Sequence, residues 1–544
     1  MYSVKRLNEK LIKSYETVFG FNPLLARLLV SKGFTGNDVI EYLMPQQAII
    51  NPNALVNGLE AVNRIEDFVH SKPNGVIWIY SDYDSDGMTS SVIMKYALES
   101  FIKDLNGTCT VKVFLPDRSY GYGIGAKWAS ETFLDSNSMV ITVDNGTNAV
   151  EAVNVLNERG IPVIVTDHHQ PEEVIANCLI INPNLHEQDP HKHLAGCGVA
   201  FKLGMLMIGF ERMQNVIDFL AVGTIGDMME MTNENIAFCK LGLERINKNE
   251  CYEGFKLLKA KNDLTFKDIA FEIVPKLNAC GRMNRMDIGY DFLFNVDSEV
   301  AVNLECLNEK RKANTKKFTK EAESQNSYVV KLKDCFVGLA GVIAGKLSQS
   351  LRANVIVFAG SDKTLIGSGR AYGNSSILEQ IQSLMPNYET LFASGHKEAC
   401  GVRINEKEFD LFAKDFNAMQ SVLNTYEESK QEMHYIVDAE LNLEDVNPET
   451  LRIISSLPYD KKDRQEPIFA IKANLVKFEE AKNNANCWIY LESGKKKLNK
   501  IWGDNLTYKF KNLKKKKDLV FIATIQKNFM MPNQATISII DIVA

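Results

Sequence analysis

At 544 residues the chain is several times the size of an ordinary domain, so two to four separately cored units are expected. Hydrophobic residues at 45% and charged residues at 24% are ordinary globular values, and no apolar run is long enough to span a bilayer. The net charge of −6 argues against a uniformly basic chain, yet residues 471–544 carry 14 Lys against 6 Asp and Glu, leaving −14 for the rest.

In chain order, residues 1–70 read as helices. The amino terminus alternates charged and apolar residues and lacks the continuous apolar stretch of a signal peptide. From about residue 74 to 230, short β-branched runs (76–80, 111–115, 139–143 and 161–165) alternate with helix-like stretches. Such alternation predicts an α/β fold with a parallel sheet covered on both faces. Residues 298–326 begin amphipathic and become almost wholly polar, as a long helix crossing solvent between domains would. The expected division is therefore N-terminal helices plus a catalytic domain over 1–297, a connecting helix over 298–326, a second, smaller α/β domain over 327–428 with a buried strand at 354–358, and a basic C-terminal module over 429–544. In that module ANLVKFEE, NCWIYLE, LNKIWG, DLVFIATIQ and ATISIIDIVA are strand candidates that suit a small β-barrel. The ten cysteines are scattered with no zinc-like spacing and read as reduced thiols of a cytoplasmic protein.

The chemistry is carried by acidic and histidine residues that follow these runs. Asp82, Asp84 and Asp86 of SDYDSDG follow the first, Asp144 of VDNGT another, and Asp167, His168 and His169 of TDHH a third. In an open parallel sheet the carboxyl ends of the strands open onto one crevice, so the three segments are expected to converge. Carboxylates crowded there repel one another unless cations neutralise them. Asp227 of AVGTIGD fits as one more ligand. Oxygen donors with an imidazole suit manganese or magnesium better than a thiolate-preferring metal. Taken singly, DxDxDG is as readily a solvated turn or a calcium loop, and DHH a solvated loop. Their shared placement after strands favours a metal site.

DYDSDG, VDNGT, TDHH and GTIGD stand in the order of the four signature motifs of the DHH phosphoesterase family, which the chain resembles. Within that family it resembles the RecJ branch. IVPKLNACGRMNR (273–285) and LAGCGVAFKL (194–203) are similar to RecJ segments. GLAGVIAGKL, GSGRA and SGHKEACG are similar to the DHH-associated domain, and LPYDKKDRQEPIF to the start of its OB-fold. The resemblance implies a cytoplasmic 5′ to 3′ exonuclease that cuts single-stranded DNA to 5′ mononucleotides in repair or recombination. It implies a monomer whose partners are single-stranded DNA and a single-strand-binding protein or helicase, with no membrane involved. Two divalent ions, manganese or magnesium, would be held by Asp82, Asp84, Asp144, His168 and Asp227, with Asp144 bridging them and His169 facing the substrate phosphate. Two ions about 4 Å apart activate a bound water and clamp the attacking and leaving oxygens.

The same resemblance gives Arg118, Arg282, Ser368 and Arg370 to substrate phosphates, with His396 closing the far side of the cleft. Ser368 and Arg370, on a glycine-flanked loop, would grip a 5′ phosphate with Arg118. Tyr122, with Tyr120, either stacks on a base or packs the loop. Trp78 stands four residues before Asp82, where some DHH phosphatases have histidine, so one ion is expected to have fewer protein ligands. In the C-terminal module, Lys495, Lys496, Lys497 and the run 514–517 are expected to track a strand, with Trp488 or Trp502 as a stacking platform. The 514–517 run reads also as a solvated hairpin.

Two other functions compete. A DHH hydrolase of short oligoribonucleotides or small nucleotides would not need the basic module or PKLNACGRM, and an inactive replication scaffold would not need intact metal carboxylates.

Overall fold

The chain opens with a short strand, β1 (Tyr2–Val4), followed by helices up to Ser71. The first residues are thus not helical as expected. The structure is a computed structural model that describes all residues except 122, 361–362, 429–433, 459–464, 482–485, 504–505, 512, 514–516, 529–533 and 544. Tyr122 and Lys514, Lys515 and Lys516 lie outside the described residues.

Five parallel strands follow: β2 (Val76–Ser81), β3 (Thr110–Phe114), β4 (Ser138–Val143), β5 (Val163–Thr166) and β6 (Leu179–Ile181). Their order is β3-β2-β4-β5-β6. β4, β5 and β6 are buried at every position, which is why their sequences are continuous apolar runs rather than alternating ones. After β2 the chain steps first to β3 on one side and then to β4 on the other. The topological switch, and the crevice it creates, therefore lie between the ends of β2 and β4.

Helix α1 (Ser85–Asp104) leaves β2 and packs against α2 (Gly196–Ile208) and α3 (Ile217–Gly226). All three are buried over most of their length because they form the interior layer beside the sheet, and α2 and α3 are accordingly apolar on most faces. Further on, α4 (Val274–Arg282) packs on α5 (Ser298–Ser324), the long helix expected at 298–326. The short strand β7 (Val329–Leu332), helix α6 (Val337–Leu351) and strands β8 (Val355–Ala359), β9 (Thr364–Arg370), β10 (Phe392–His396) and β11 (Ala399–Asn405) build a second sheet of order β10-β11-β9-β8-β7. Only β7 and β8 are parallel; the others pair antiparallel. The GSGR of GSGRA lies within β9, not on the loop expected from its glycines.

β12 (Tyr435–Val437) pairs in parallel with β1, so the amino terminus is stitched to the C-terminal region. Asp438 secures that seam. It accepts hydrogen bonds from the Ser31 hydroxyl and from Ile468 N at 2.9 Å, and its Oδ2 lies 3.3 Å from Lys32 Nζ. The last sheet holds β13 (Ala439–Asn442), β14 (Phe469–Glu480), β15 (Cys487–Ser493), β16 (Lys496–Gly503), β17 (Leu519–Lys527) and β18 (Ala535–Val543), in order β16-β15-β14-β17-β18 with β13 beside β14. Among the described residues no ladder joins β16 to β18, so the expected barrel is an open sheet whose end strands lie beside one another. All ten cysteines are free. No helix among the described residues is long and apolar enough to cross a membrane.

Candidate metal centre and phosphate cleft

Ser81, Val143, Thr166 and Ile181 pair in register across β2, β4, β5 and β6. The residues that follow them, Asp82, Asp144, Asp167 and Asn182, therefore leave the sheet at one level. Asp84 caps α1, its carboxylate accepting from the backbone N–H of Asp86 at 2.9 Å and Gly87 at 3.1 Å. Asp144 holds a left-handed backbone (φ +62), which Asp tolerates better than most residues. Gly196 opens α2 against it, where a Cβ would stand 2.5 Å from the Asp144 side chain. This close approach lets the N–H groups of Gly196 and Cys197 donate to Asp86 at 2.7 and 3.0 Å.

The donors gather in three overlapping groups: Asp82, Asp84 and Asp144; Asp144, His168 and His169; and Asp86, His168 and Asp227. Within each, the candidate ligand atoms lie within 4.8 Å of one another. His168 Nε2 is 3.2 Å from Asp144, 3.7 Å from Asp227 and 3.8 Å from Asp86. Asp144 Oδ1 is a buried acceptor with no hydrogen bond. Side-chain exposure of 36% at His169 and 31% at Asp227 marks the open side of the crevice.

The electrostatics follow from this crowding. Burial and the neighbouring Asp84 charge push Asp82 up to about 7. Burial and the charges of the other carboxylates push Asp84 up and Asp144 well up. Burial lowers His168. Burial also works against a charged His169, but its Nδ1–H donates to Asp167 at 2.8 Å and that bond raises it to about 9. Asp167 lies well below its ordinary value in spite of burial, because His169 and the Thr147 N–H at 3.0 Å stabilise its charge.

Sequence reasoning missed several supports. Asp86 joins a donor group of its own. Asn182 donates to the carbonyl of His169 at 2.8 Å, and Asn184 donates to that of His168. Asn278, inside KLNACGRM, accepts from Ser85 N at 2.7 Å, and Gly281 of the same segment presses on the Tyr83 carbonyl. That segment thus braces the DYDSDG loop.

Arg118 donates from Nε to Gly281 O at 3.2 Å and from Nη1 to the Tyr83 hydroxyl at 3.1 Å, with its guanidinium over the Tyr83 ring. Arg282 donates to Gly338 O at 3.2 Å, and burial with the charges of Arg118, Arg311 and Arg370 lowers it to about 10. Arg370 donates to Ser368 Oγ at 2.7 Å. Arg118 and Arg282 thus both stand at the end of α4, and Arg282 and Arg370 both lie against α6, at Gly338 and Gly341. His396 does not join them: it is exposed at the end of β10, with no side-chain hydrogen bond or ion pair among the described residues. Tyr120 packs edge-on against Phe114, which favours loop packing over base stacking. Trp78 lies edge-on to Trp128 with Lys112 over its ring, so it adds no ligand to the crevice.

Residues 76–224 match the DHH family, N-terminal domain, and this parallel sheet with acids at its strand ends is the DHH class of fold. The chain is also 30% identical over 505 residues to the single-stranded-DNA-specific exonuclease RecJ of Haemophilus influenzae, covering 85% of this chain and 86% of that relative. The chain belongs to the RecJ family. Its fold matches the crystal structure of RecJ in complex with Mn²⁺ from Thermus thermophilus with a TM-score of 0.77 at 21% identity, over all of this chain and 79% of that one. A second crystal structure, of exonuclease RecJ bound to manganese, matches with a TM-score of 0.56 at 26% identity, over 67% of this chain and 94% of that one.

Proposed function

We propose that this chain is a metal-dependent exonuclease of single-stranded DNA that releases 5′ mononucleotides from the 5′ end. The observation that carries the reading is the nesting of donors, in which Asp144 and His168 each belong to two overlapping groups. Oxygen and imidazole donors, mutually repelling carboxylates and the buried, unbonded Asp144 Oδ1 fit a pair of hard divalent cations. We assign Asp82, Asp84 and Asp144 to one ion and Asp144, His168 and Asp227 to the other. The manganese-bound RecJ relative supports manganese here, with magnesium as the alternative. Such a pair, when bound, supplies an activated water and offsets charge on the reacting phosphate.

The chain's own residues hold the strand in place. With Nδ1 bonded to Asp167, a protonated His169 presents Nε2–H to a phosphate oxygen. Arg282 stands within electrostatic reach of Asp84 and faces the phosphodiester to be cut. Ser368 and Arg370, with Arg118, read a terminal phosphate, which carries nearly two charges where an internal one carries one. We read the chain as four parts with the boundaries 1–297, 298–326, 327–428 and 429–544. The last is an OB-type module, because a short helix (Thr507–Lys511) separates its third and fourth long strands and β16 lies beside β18. A cytoplasmic monomer suits the free cysteines and the DNA substrate.

Digestion of strands labelled at one end tests the reading. With manganese or magnesium, a 5′ label should leave at once as a mononucleotide while a 3′ label persists until late. Degradation from the 3′ end overturns the polarity, and no hydrolysis overturns the function.

A further inference from the structure

Strands β9, β11 and β10 of the second sheet bury one face and leave most of the other open. On the buried face, Leu365, Ala393, Cys400, Val402 and Ile404 share a core with Ile377 and Ile381 of the helix Ile377–Leu384 and with Phe412 and Phe416 of the helix Glu406–Glu428. The alternate residues point to the opposite face. There α6 lies against β9, since a Cβ at Gly341 would meet Arg370 Nη2 at 2.6 Å and Ser368 Oγ at 3.1 Å. Beyond β9 that face is bare: Gly401 and Arg403 of β11 and Phe392 and Ser394 of β10 are all exposed.

The strand register sets out what this open face carries. Ser368, Gly401 and Ser394 lie in one row across the three strands, and Ile366, Arg403 and Phe392 form the next row on the same side. The Arg403 guanidinium lies 5.4 Å from the centre of the Phe392 ring, and Phe392 is 48% exposed. Among the described residues the Arg403 side chain makes no hydrogen bond and no ion pair. An aromatic ring beside a planar cation that no carboxylate neutralises suits a ligand that is flat, aromatic and anionic, and a nucleotide is all three. From Ser368, Phe392 is two strands across and two residues along, roughly 12 Å at the level of the backbone. One nucleotide bridges that separation with its phosphate at Ser368 and its base at Phe392. The floor between them is low, because a Cβ added at Gly401 would meet only Ser394 O, at 3.9 Å.

We propose that the open face of β9, β11 and β10 seats the first base of the strand: the 5′-terminal nucleotide, its phosphate on Ser368 and Arg370, lays its base against Phe392 and Arg403. The proposal rests on the exonuclease reading and on its placement of the terminal phosphate, with which this face is continuous. End recognition then reads a base as well as a phosphate. It does so without regard to sequence, because every base has a π face, and a strand whose first nucleotide has lost its base becomes a poor substrate.

The test gives the full-length chain short 5′-phosphorylated single strands that are intact, abasic at the first nucleotide or abasic at the second. Binding is measured in chelator, and kcat/KM for nucleotide release with manganese. The wild type should bind and cut the intact strand roughly five- to a hundredfold better than the strand abasic at its first nucleotide. Phe392→Ala should bring the intact strand down to the level of that abasic one, so that the preference disappears. Gly401→Val, which raises the floor with a residue that suits a strand, should do the same, and it carries the test if melting shows F392A unfolded. A wild type indifferent to the first base overturns the proposal. So does an F392A variant that weakens the intact and the abasic strand equally, which would make Phe392 a packing residue. A preference that is lost only when the second base is removed overturns the placement. If the wild type releases no nucleotide yet prefers the intact end in chelator, and F392A removes that preference, the exonuclease reading fails while the base seat stands.

Discussion

Replacing Asp82 by Asn should make the metal-free protein more stable and the enzyme inactive. Asp82 is buried beside Asp84, and its Oδ1 accepts from Tyr83 N at 2.7 Å, a bond that an Asn carbonyl oxygen can keep. Moving its pKa from 3.8 to about 7 means that holding it ionised in the folded crevice costs about 4 kcal/mol relative to the unfolded chain. A group whose folded pKa is raised favours the fold at low pH and loses that advantage as pH rises through the folded value. In chelator, wild-type stability should therefore fall between about pH 4 and about pH 7, and Asp82→Asn should flatten that fall. Above neutral pH the variant should be more stable by about 2 to 4 kcal/mol, the lower figure allowing for the burial of a new amide N–H₂. Adding manganese should reverse the order, because the cation stabilises only a crevice that still binds it. Nucleotide release should drop by roughly a hundredfold or more. Thermal melts with and without manganese, alongside release of labelled nucleotide, provide the comparison. A variant that melts lower than wild type in chelator at every pH, or that turns over normally, refutes the crowding argument.

Arg370→Ala should lower kcat/KM on 5′-phosphorylated strands by about 1.5 to 3 kcal/mol more than on 5′-hydroxyl strands, and equal losses on both would remove Arg370 from end recognition. Charge reversal at Lys495, Lys496 and Lys497 should flatten the salt dependence of binding by about 0.7 for each phosphate that is no longer neutralised; Lys497 should count least because it already lies 3.9 Å from Glu492, and an unchanged slope would make these lysines a solvated edge. Asn278→Ala should destabilise the protein by about 1 to 2 kcal/mol and weaken manganese binding, since Ser85 N loses its acceptor at the start of α1; calorimetry showing unchanged metal affinity would separate Asn278 from the site.

The acids at the strand ends were legible because strand and turn patterns are local. An acid directly after a buried β-branched run must leave a parallel sheet at its carboxyl edge, and Asp82, Asp144 and Asp167 do so in register. Supports that depend on distant packing were not legible. Asn278 reaches Ser85 across 193 residues. β1 pairs with a strand more than 400 residues away. The glycines of GSGRA suggested a loop, whereas they are in a strand because larger neighbours press on it: a Cβ at Gly367 would meet the Phe358 ring at 2.7 Å, and one at Gly369 the Cys400 Sγ at 2.9 Å. At the C-terminal module the five strand candidates do form strands, but closure into a barrel needs a ladder between β16 and β18, a contact between segments distant in sequence that local pattern does not specify.

That one crevice holds two cations through a shared Asp144 is tested most directly by manganese titration of the full-length chain, followed by electron paramagnetic resonance. Saturation at two ions per chain, with a spin-coupled signal that Asp144→Asn abolishes while leaving the protein folded, is the expected result. A single uncoupled ion, or a coupled pair that survives the loss of the Asp144 charge, would contradict it.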